Sequence, residues 1–153
     1  MRKIKTSFIL FSILIISTLL ISKSCVERDG TVNCFPQQII NAQILLNGYP
    51  KLMTQEWDYT KGEIGTGTRG LIIYKLGDLY IVYDRNAPHL CPDASTTLEV
   101  IKDSDGFMKI YCPKDGAKWI LQNGQPNNSQ ATGIPKTYRY QFDASINALN
   151  VYN

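Results

Sequence analysis

The sequence predicts an all-β domain, an antiparallel sandwich or barrel built from short hairpins. Beyond its N-terminal leader, no segment keeps an apolar period of 3.6 residues, and only Gln37 to Leu46 would pass for a helical turn or two. Short runs of apolar, β-branched and aromatic residues recur between turn signals instead. The chain also carries nine tyrosines, a residue that packs well on a pleated, half-buried surface.

The elements follow in order. Ile39 to Leu46 reads as a first strand, stopped by Asn47-Gly48-Tyr49-Pro50. A looser stretch passes Trp57 and Tyr59 to Gly62, Gly65 and Gly67. For the two aromatics, core packing is the expected role and an exposed patch for a partner or glycan the alternative. Leu71 to Tyr74 and Leu79 to Tyr83 flank Leu76-Gly77-Asp78, a hairpin signal. Leu98 to Lys102 and Phe107 to Tyr111 flank Asp103-Ser104-Asp105-Gly106, a second hairpin. Lys118 to Leu121 leads into Asn123-Gly124 and a polar loop from Asn127 to Pro135. Tyr138 to Phe142 and Leu149 to Tyr152 form a third hairpin that closes the chain.

Residues 1–24 are expected to be a leader rather than part of the fold. Arg2, Lys3 and Lys5 precede an apolar run from Phe8 to Ile21. That run is about 14 residues, short of the roughly 20 that span a bilayer, and it suits the apolar region of a signal peptide. Ser22-Lys23-Ser24-Cys25 then resembles the lipobox of bacterial lipoproteins, with Ser22 where that pattern usually has Leu. The resemblance implies cleavage before Cys25 and lipidation of that cysteine by acyl chains such as palmitate. A secreted protein with a plain thiol at Cys25, or an uncleaved anchor, is the alternative reading. The expected organisation is therefore a leader over 1–24, a lipid-anchored tether over 25–37 and a β domain over 38–153.

Charge follows from the same division. The whole chain has 16 Lys+Arg against 13 Asp+Glu. Four of the basic residues, Arg2, Lys3, Lys5 and Lys23, precede Cys25 without an acidic one, which leaves 12 basic against 13 acidic. The apparent basicity belongs to the export signal, so no nucleic-acid partner is expected. Export would place Cys34, Cys91 and Cys112 in an oxidising compartment where disulfides persist.

Two loops carry a further likeness. The first contains Asp84-Arg85-Asn86-Ala87-Pro88-His89-Leu90-Cys91, and the second Cys112-Pro113-Lys114-Asp115-Gly116, followed by Trp119 and the Asn123-Gly124 turn. In order and setting they resemble the Rieske iron–sulfur domain, with Cys-x-His in one loop and Cys-x-x-His-Gly-Ser in the other. The closest resemblance is to small Rieske-like lipoproteins of Bacteroidetes-type bacteria, over about 70 residues strongly and most of the mature chain loosely. The family's [2Fe–2S] centre holds one iron by two cysteines and the other by two histidines. Matched by position, the first-loop ligands fall on Ala87 and His89, and the second-loop ligands on Cys112 and Asp115. His89 is the single histidine of the chain, so the two-histidine iron cannot be built. The resemblance therefore implies a degenerate member without its cluster, and no cofactor is expected.

Alternatives remain at these loops. His89, Cys91, Cys112 and Asp115 offer chemically acceptable zinc ligands, and an iron–sulfur cluster or zinc is the alternative cofactor. Many Rieske proteins link their two loops by a disulfide, and the resemblance suggests that Cys91 and Cys112 do a related job. Such a bridge would close about 20 residues, worth roughly 3 kcal/mol. It would leave Cys34 over. Catalysis at His89 would need a nucleophile such as Ser95 and an orienting acid among Asp84, Asp93 and Asp115. No hydrolase, phosphate-loop or zinc-protease motif accompanies them. Arg85 beside Asp84 is expected to form an ion pair or a loop-fixing hydrogen bond, and Gly70 and Gly116 to serve turns or close packing.

The expected function is that of a membrane-anchored lipoprotein of the bacterial cell envelope, at the outer membrane. It would be a non-enzymatic component that binds a protein partner or supports structure. Electron transfer or metal binding through His89 and Cys112, and thiol-redox chemistry, are the alternatives.

Overall fold

The computed structural model describes residues 33–153. The leader, Cys25 and most of the tether expected over 25–37 lie outside the described residues. Among the described residues no helix is long and apolar enough to cross a membrane. The domain is all-β, and every strand pairing is antiparallel.

Among the described residues, nine strands form two sheets. The larger has the order β1-β9-β8-β4-β3-β2, and the smaller β5-β6-β7. In chain order, β1 (Asn41–Leu45) is followed by a 3-10 turn over Leu46–Gly48 and the single helical turn α1 (Lys51–Thr54). Then come β2 (Trp57–Tyr59), β3 (Leu71–Leu76), β4 (Leu79–Asp84), β5 (Glu99–Lys102) and β6 (Met108–Tyr111). The remaining strands are β7 (Lys118–Ile120), β8 (Thr137–Asp143) and β9 (Ala148–Tyr152). All three expected hairpins form, as β3–β4, β5–β6 and β8–β9. Strand β2 and helix α1 come from the stretch that had no clear sequence pattern.

The larger sheet curls around a narrow seam, because β4 meets β8 only at Val82–Tyr138 and Tyr83–Thr137. The curl puts apolar cores on both faces of β3 and β4. Leu71, Ile73 and Val82 face one core with Ile40, Ile44, Tyr138, Leu149 and Val151. Ile72, Tyr74 and Tyr83 face the other, with Leu98, Val100, Ile110, Cys112 and Trp119 of the small-sheet side. Burial on both faces explains why Leu71-Ile72-Ile73-Tyr74 is an unbroken apolar run and not an alternating one. Each such side chain contributes about 1.5–3 kcal/mol by leaving water. Trp57 packs in this second core, which bears out the core-packing role expected of it.

The small-sheet side is also held by directed bonds. The Tyr83 hydroxyl donates to the Leu121 carbonyl at 2.9 Å, and the Trp119 indole N–H donates to the Gly133 carbonyl at 3.0 Å. Gly70 allows a close backbone approach: at φ +83, a Cβ there would lie 2.2 Å from the Thr60 carbonyl oxygen. Any other residue would push β3 away from the segment it packs on.

Candidate functional site

The first tip loop runs from Asp84, at the end of β4, to Leu98. Asp84 is buried and its carboxylate organises the turn. It accepts from the Asn86 amide at 2.7 Å, from the Asn86 side chain at 2.7 Å and from the Tyr138 hydroxyl at 2.6 Å. Burial, then the adjoining Asp84 carboxylate, pushes the Tyr138 hydroxyl far above its ordinary value. Of the two roles expected for Arg85, the structure shows the loop-fixing one. Its Nε donates to the Leu98 carbonyl at 3.0 Å, and its guanidinium stands 4.2 Å from the Tyr59 ring centre.

This loop carries Cys91, and its partner differs from the one expected. Cys91 is bonded to Cys34, with Cα atoms 5.4 Å apart. The expected Cys91–Cys112 bridge does not form. Cys34 and Cys91 are both exposed, whereas Cys112 is fully buried. Cys112 continues the inward alternation of β6 after Ile110, so its thiol points into the core while Cys91 stands on the surface. Cys112 is the free cysteine among the described residues. The Cys34–Cys91 bond fastens the end of the expected tether to the domain, and Phe35 beside it is buried.

The second loop turns tightly from Cys112 to Ala117. The Gly116 amide donates to the Cys112 carbonyl at 3.0 Å, and the Cys112 amide to the Ala117 carbonyl at 2.9 Å. Gly116 has φ +77, the left-handed conformation that this turn requires. Asn128 braces it from outside, donating to the Gly116 carbonyl at 2.8 Å and accepting from the Lys118 amide at 2.9 Å.

The two loops meet at His89 and Asp115. His89 Nε2 lies 2.6 Å from Asp115 Oδ2, and the His89 ring stands edge-on to Trp119 at 5.3 Å. The His89 side chain is only 9% exposed, and Asp115's is 29% exposed. Cys112 lies beside the pair, buried beneath the turn that carries Asp115. One ligand atom from each of His89, Cys112 and Asp115 lies within 4.8 Å of the others. His89 Nδ1 is buried and has no hydrogen-bond partner.

Local electrostatics explain what these groups can do. Burial pulls the Asp115 carboxyl up, but hydrogen bonds from His89, the Ala117 amide and Cys112 outweigh it and hold the carboxyl below its usual range. Burial pushes the Cys112 thiol up from its ordinary value. It is therefore a protonated thiol at neutral pH, a poor nucleophile.

Four expected site residues can now be placed. His89, Cys112 and Asp115 converge. Cys91 does not join them, because its sulfur is committed to Cys34, and this removes it from the four-ligand zinc alternative. The same bond removes the dithiol on which the expected thiol-redox alternative rested. Ser95 is not held for catalysis at His89, since its hydroxyl donates to Asp93 at 2.7 Å. Ala87, at the expected position of a cluster cysteine, is fully buried and offers no ligand. Sequence reasoning had no signal for the Cys34 partnership, which depends on two segments 57 residues apart meeting in space.

Comparison with known proteins finds no matching family model, no matching curated protein and no matching solved structure.

Proposed function

We propose that this chain is a lipid-anchored component of a bacterial cell envelope, at the outer membrane. Its cluster-less Rieske-like domain would act without catalysis, by binding a protein partner. One observation carries this reading: an apolar groove at the end of the larger sheet remote from His89. The groove, of about 830 Å³, is lined by Pro50, Leu52, Met53, Tyr80 and Phe142, among others. Met53 is 80% exposed and Phe142 45% exposed. Leu76 and Leu79 at the adjoining β3–β4 turn are exposed as well. Contiguous apolar surface of this kind is costly to leave in water and marks interaction sites.

Cys34 follows Cys25 by nine residues, which reach at most about 30 Å when extended. A lipid on Cys25 would therefore hold the disulfide-bearing end of the domain within about 30 Å of the membrane surface. Ala87 and Asp115, standing where the resemblance puts a cysteine and a histidine, support a domain that works without a [2Fe–2S] centre.

The test is isolation from native membranes in mild detergent, comparing the wild type with the double variant Met53→Asp/Phe142→Asp. A partner that co-isolates in stoichiometric amount with the wild type and is lost from the folded variant is the expected result. Equal recovery with both would place the partner elsewhere, and no partner with either would remove the reading. Cys25→Ser is expected to release the chain from membranes, and continued membrane attachment would sink the lipid anchor.

A further inference from the structure

We infer that His89, Cys112 and Asp115 form a binding site for one divalent transition-metal ion of the zinc class. The site is mononuclear and distinct from an iron–sulfur centre, which needs four protein ligands that these loops do not supply.

Geometry is the first support. In a tetrahedral zinc site, bonds of about 2.0–2.3 Å put neighbouring ligand atoms about 3.3–3.5 Å apart. The three candidate ligand atoms already lie within 4.8 Å of one another, and the His89–Asp115 contact is 2.6 Å. Opening the shortest contact slightly and closing the longest by about 1 Å would make room for the ion. Side-chain rotation of Asp115 is sufficient for such a change, since it lies in an exposed turn.

The second support is burial. The His89 side chain is only 9% exposed and Cys112 is fully buried, so two of the three ligands are held by packing before an ion arrives and lose little freedom on binding it.

Charge is the third. Binding converts the Cys112 thiol to thiolate and forms the sulfur–metal bond, and the displaced proton goes to solvent. One thiolate and one carboxylate then neutralise the two positive charges of the ion, and the imidazole adds none. A neutral ensemble is what a mostly buried site tolerates. Sulfur with imidazole nitrogen selects zinc-class ions over magnesium or calcium, which prefer oxygen ligands. Three protein ligands leave a fourth position open to water or to a group of a partner.

Metal binding at the tip is independent of the lipid anchor and of the apolar groove, so one can fail without the other. The experiment uses the full chain in detergent, with its disulfide intact and metals removed by chelation, titrated with Co²⁺ and then Zn²⁺. One equivalent of Co²⁺ should produce a thiolate-to-cobalt charge-transfer band, and Zn²⁺ should displace it. His89→Gln and Asp115→Asn should each weaken binding at least about tenfold, and Cys112→Ser should abolish the band. Circular dichroism melts establish that each variant is folded. Because His89 and Asp115 belong to the loops whereas Cys112 belongs to the apolar core, their variants decide the outcome if Cys112→Ser is unstable. No charge-transfer band in the folded wild type, or a band and affinity unchanged in both His89→Gln and Asp115→Asn, would overturn the site.

Discussion

Cys91 and Cys112 sit in two loops joined by the His89–Asp115 contact, yet one is exposed and bridged while the other is buried and free. Their surroundings explain the contrast. The first loop has no regular pairing of its own beyond one bridge between Asn86 and Thr97. Side-chain bonds to Asp84 and Arg85, and a covalent link to Cys34, hold it instead. The second loop is a tight turn between paired strands, fixed by its own backbone and by the Asn128 side chain. A loop of the second kind can carry a buried thiol without a covalent link. One of the first kind needs fastening from outside, and it is this fastening that consumes Cys91.

The contrast can be broken most strongly at the disulfide. Cys34→Ala/Cys91→Ala removes a crosslink spanning 57 residues, for which chain entropy gives about 4 kcal/mol. Urea unfolding should show a loss of that size, and reductant should reproduce it in the wild type. An unchanged midpoint would mean that the first loop holds without its bridge.

Asp84→Ala should cost about 3 kcal/mol, because it leaves the Asn86 donors and the Tyr138 hydroxyl buried without an acceptor. Tyr138→Phe should cost less, about 1 kcal/mol, since it removes a single bond and leaves Asp84 two others. Equal costs for the two variants, read from thermal melts, would show that the carboxylate does not organise the loop.

Alkaline pH probes the contact between the sheets. Burial, then the neighbouring Tyr74, raises the Tyr83 hydroxyl from 10.0 to about 12. A group whose folded pKa is raised stabilises the protein below its unfolded pKa and loses that contribution as pH rises through the folded one. Stability is therefore expected to fall between pH 10 and about 12, and Tyr83→Phe should flatten that part of the decline. The same slope in both proteins would assign the loss to another group.

The smallest expected effect is at the meeting of the loops. The Asp115 carboxyl is held below its ordinary value of 3.8, so its contribution is present above that pH and is lost as pH falls through the depressed value. Asp115→Asn should weaken the acid dependence of stability below about pH 4 and leave the alkaline limb alone. Unfolding followed from pH 2 to pH 5 reads this directly, and an unaltered acid limb would count against the depressed carboxyl.

Much of the strand pattern was legible because it is local. Gly77-Asp78 and Asp105-Gly106 mark reversals that need only neighbouring residues, and the flanking runs pair across them. Strand β2 was not legible, since Trp57-Asp58-Tyr59 is too short to show a period and is held by pairing to β3. Helix α1 is a single turn following Pro50, below the length at which periodicity speaks. At the site, His89, Cys112 and Asp115 were legible as candidates because matching two loops by position needs only their order. The role of Cys91 was not, since every one of its possible partners is distant in the chain.

The sequence by itself determined an all-β domain of antiparallel hairpins, since turn residues and alternating or continuous apolar runs act over a few neighbouring positions. It also determined that Ala87 and Asp115 stand where the resemblance puts a cysteine and a histidine, which is a matter of residue type alone. Tertiary structure decided which cysteines meet, which face of β6 turns inward, and that His89, Cys112 and Asp115 share one spot with a nitrogen unpaired. Those outcomes depend on how a curled sheet brings distant loops together, and burial then sorts an exposed cysteine into a bond and a buried one into the core.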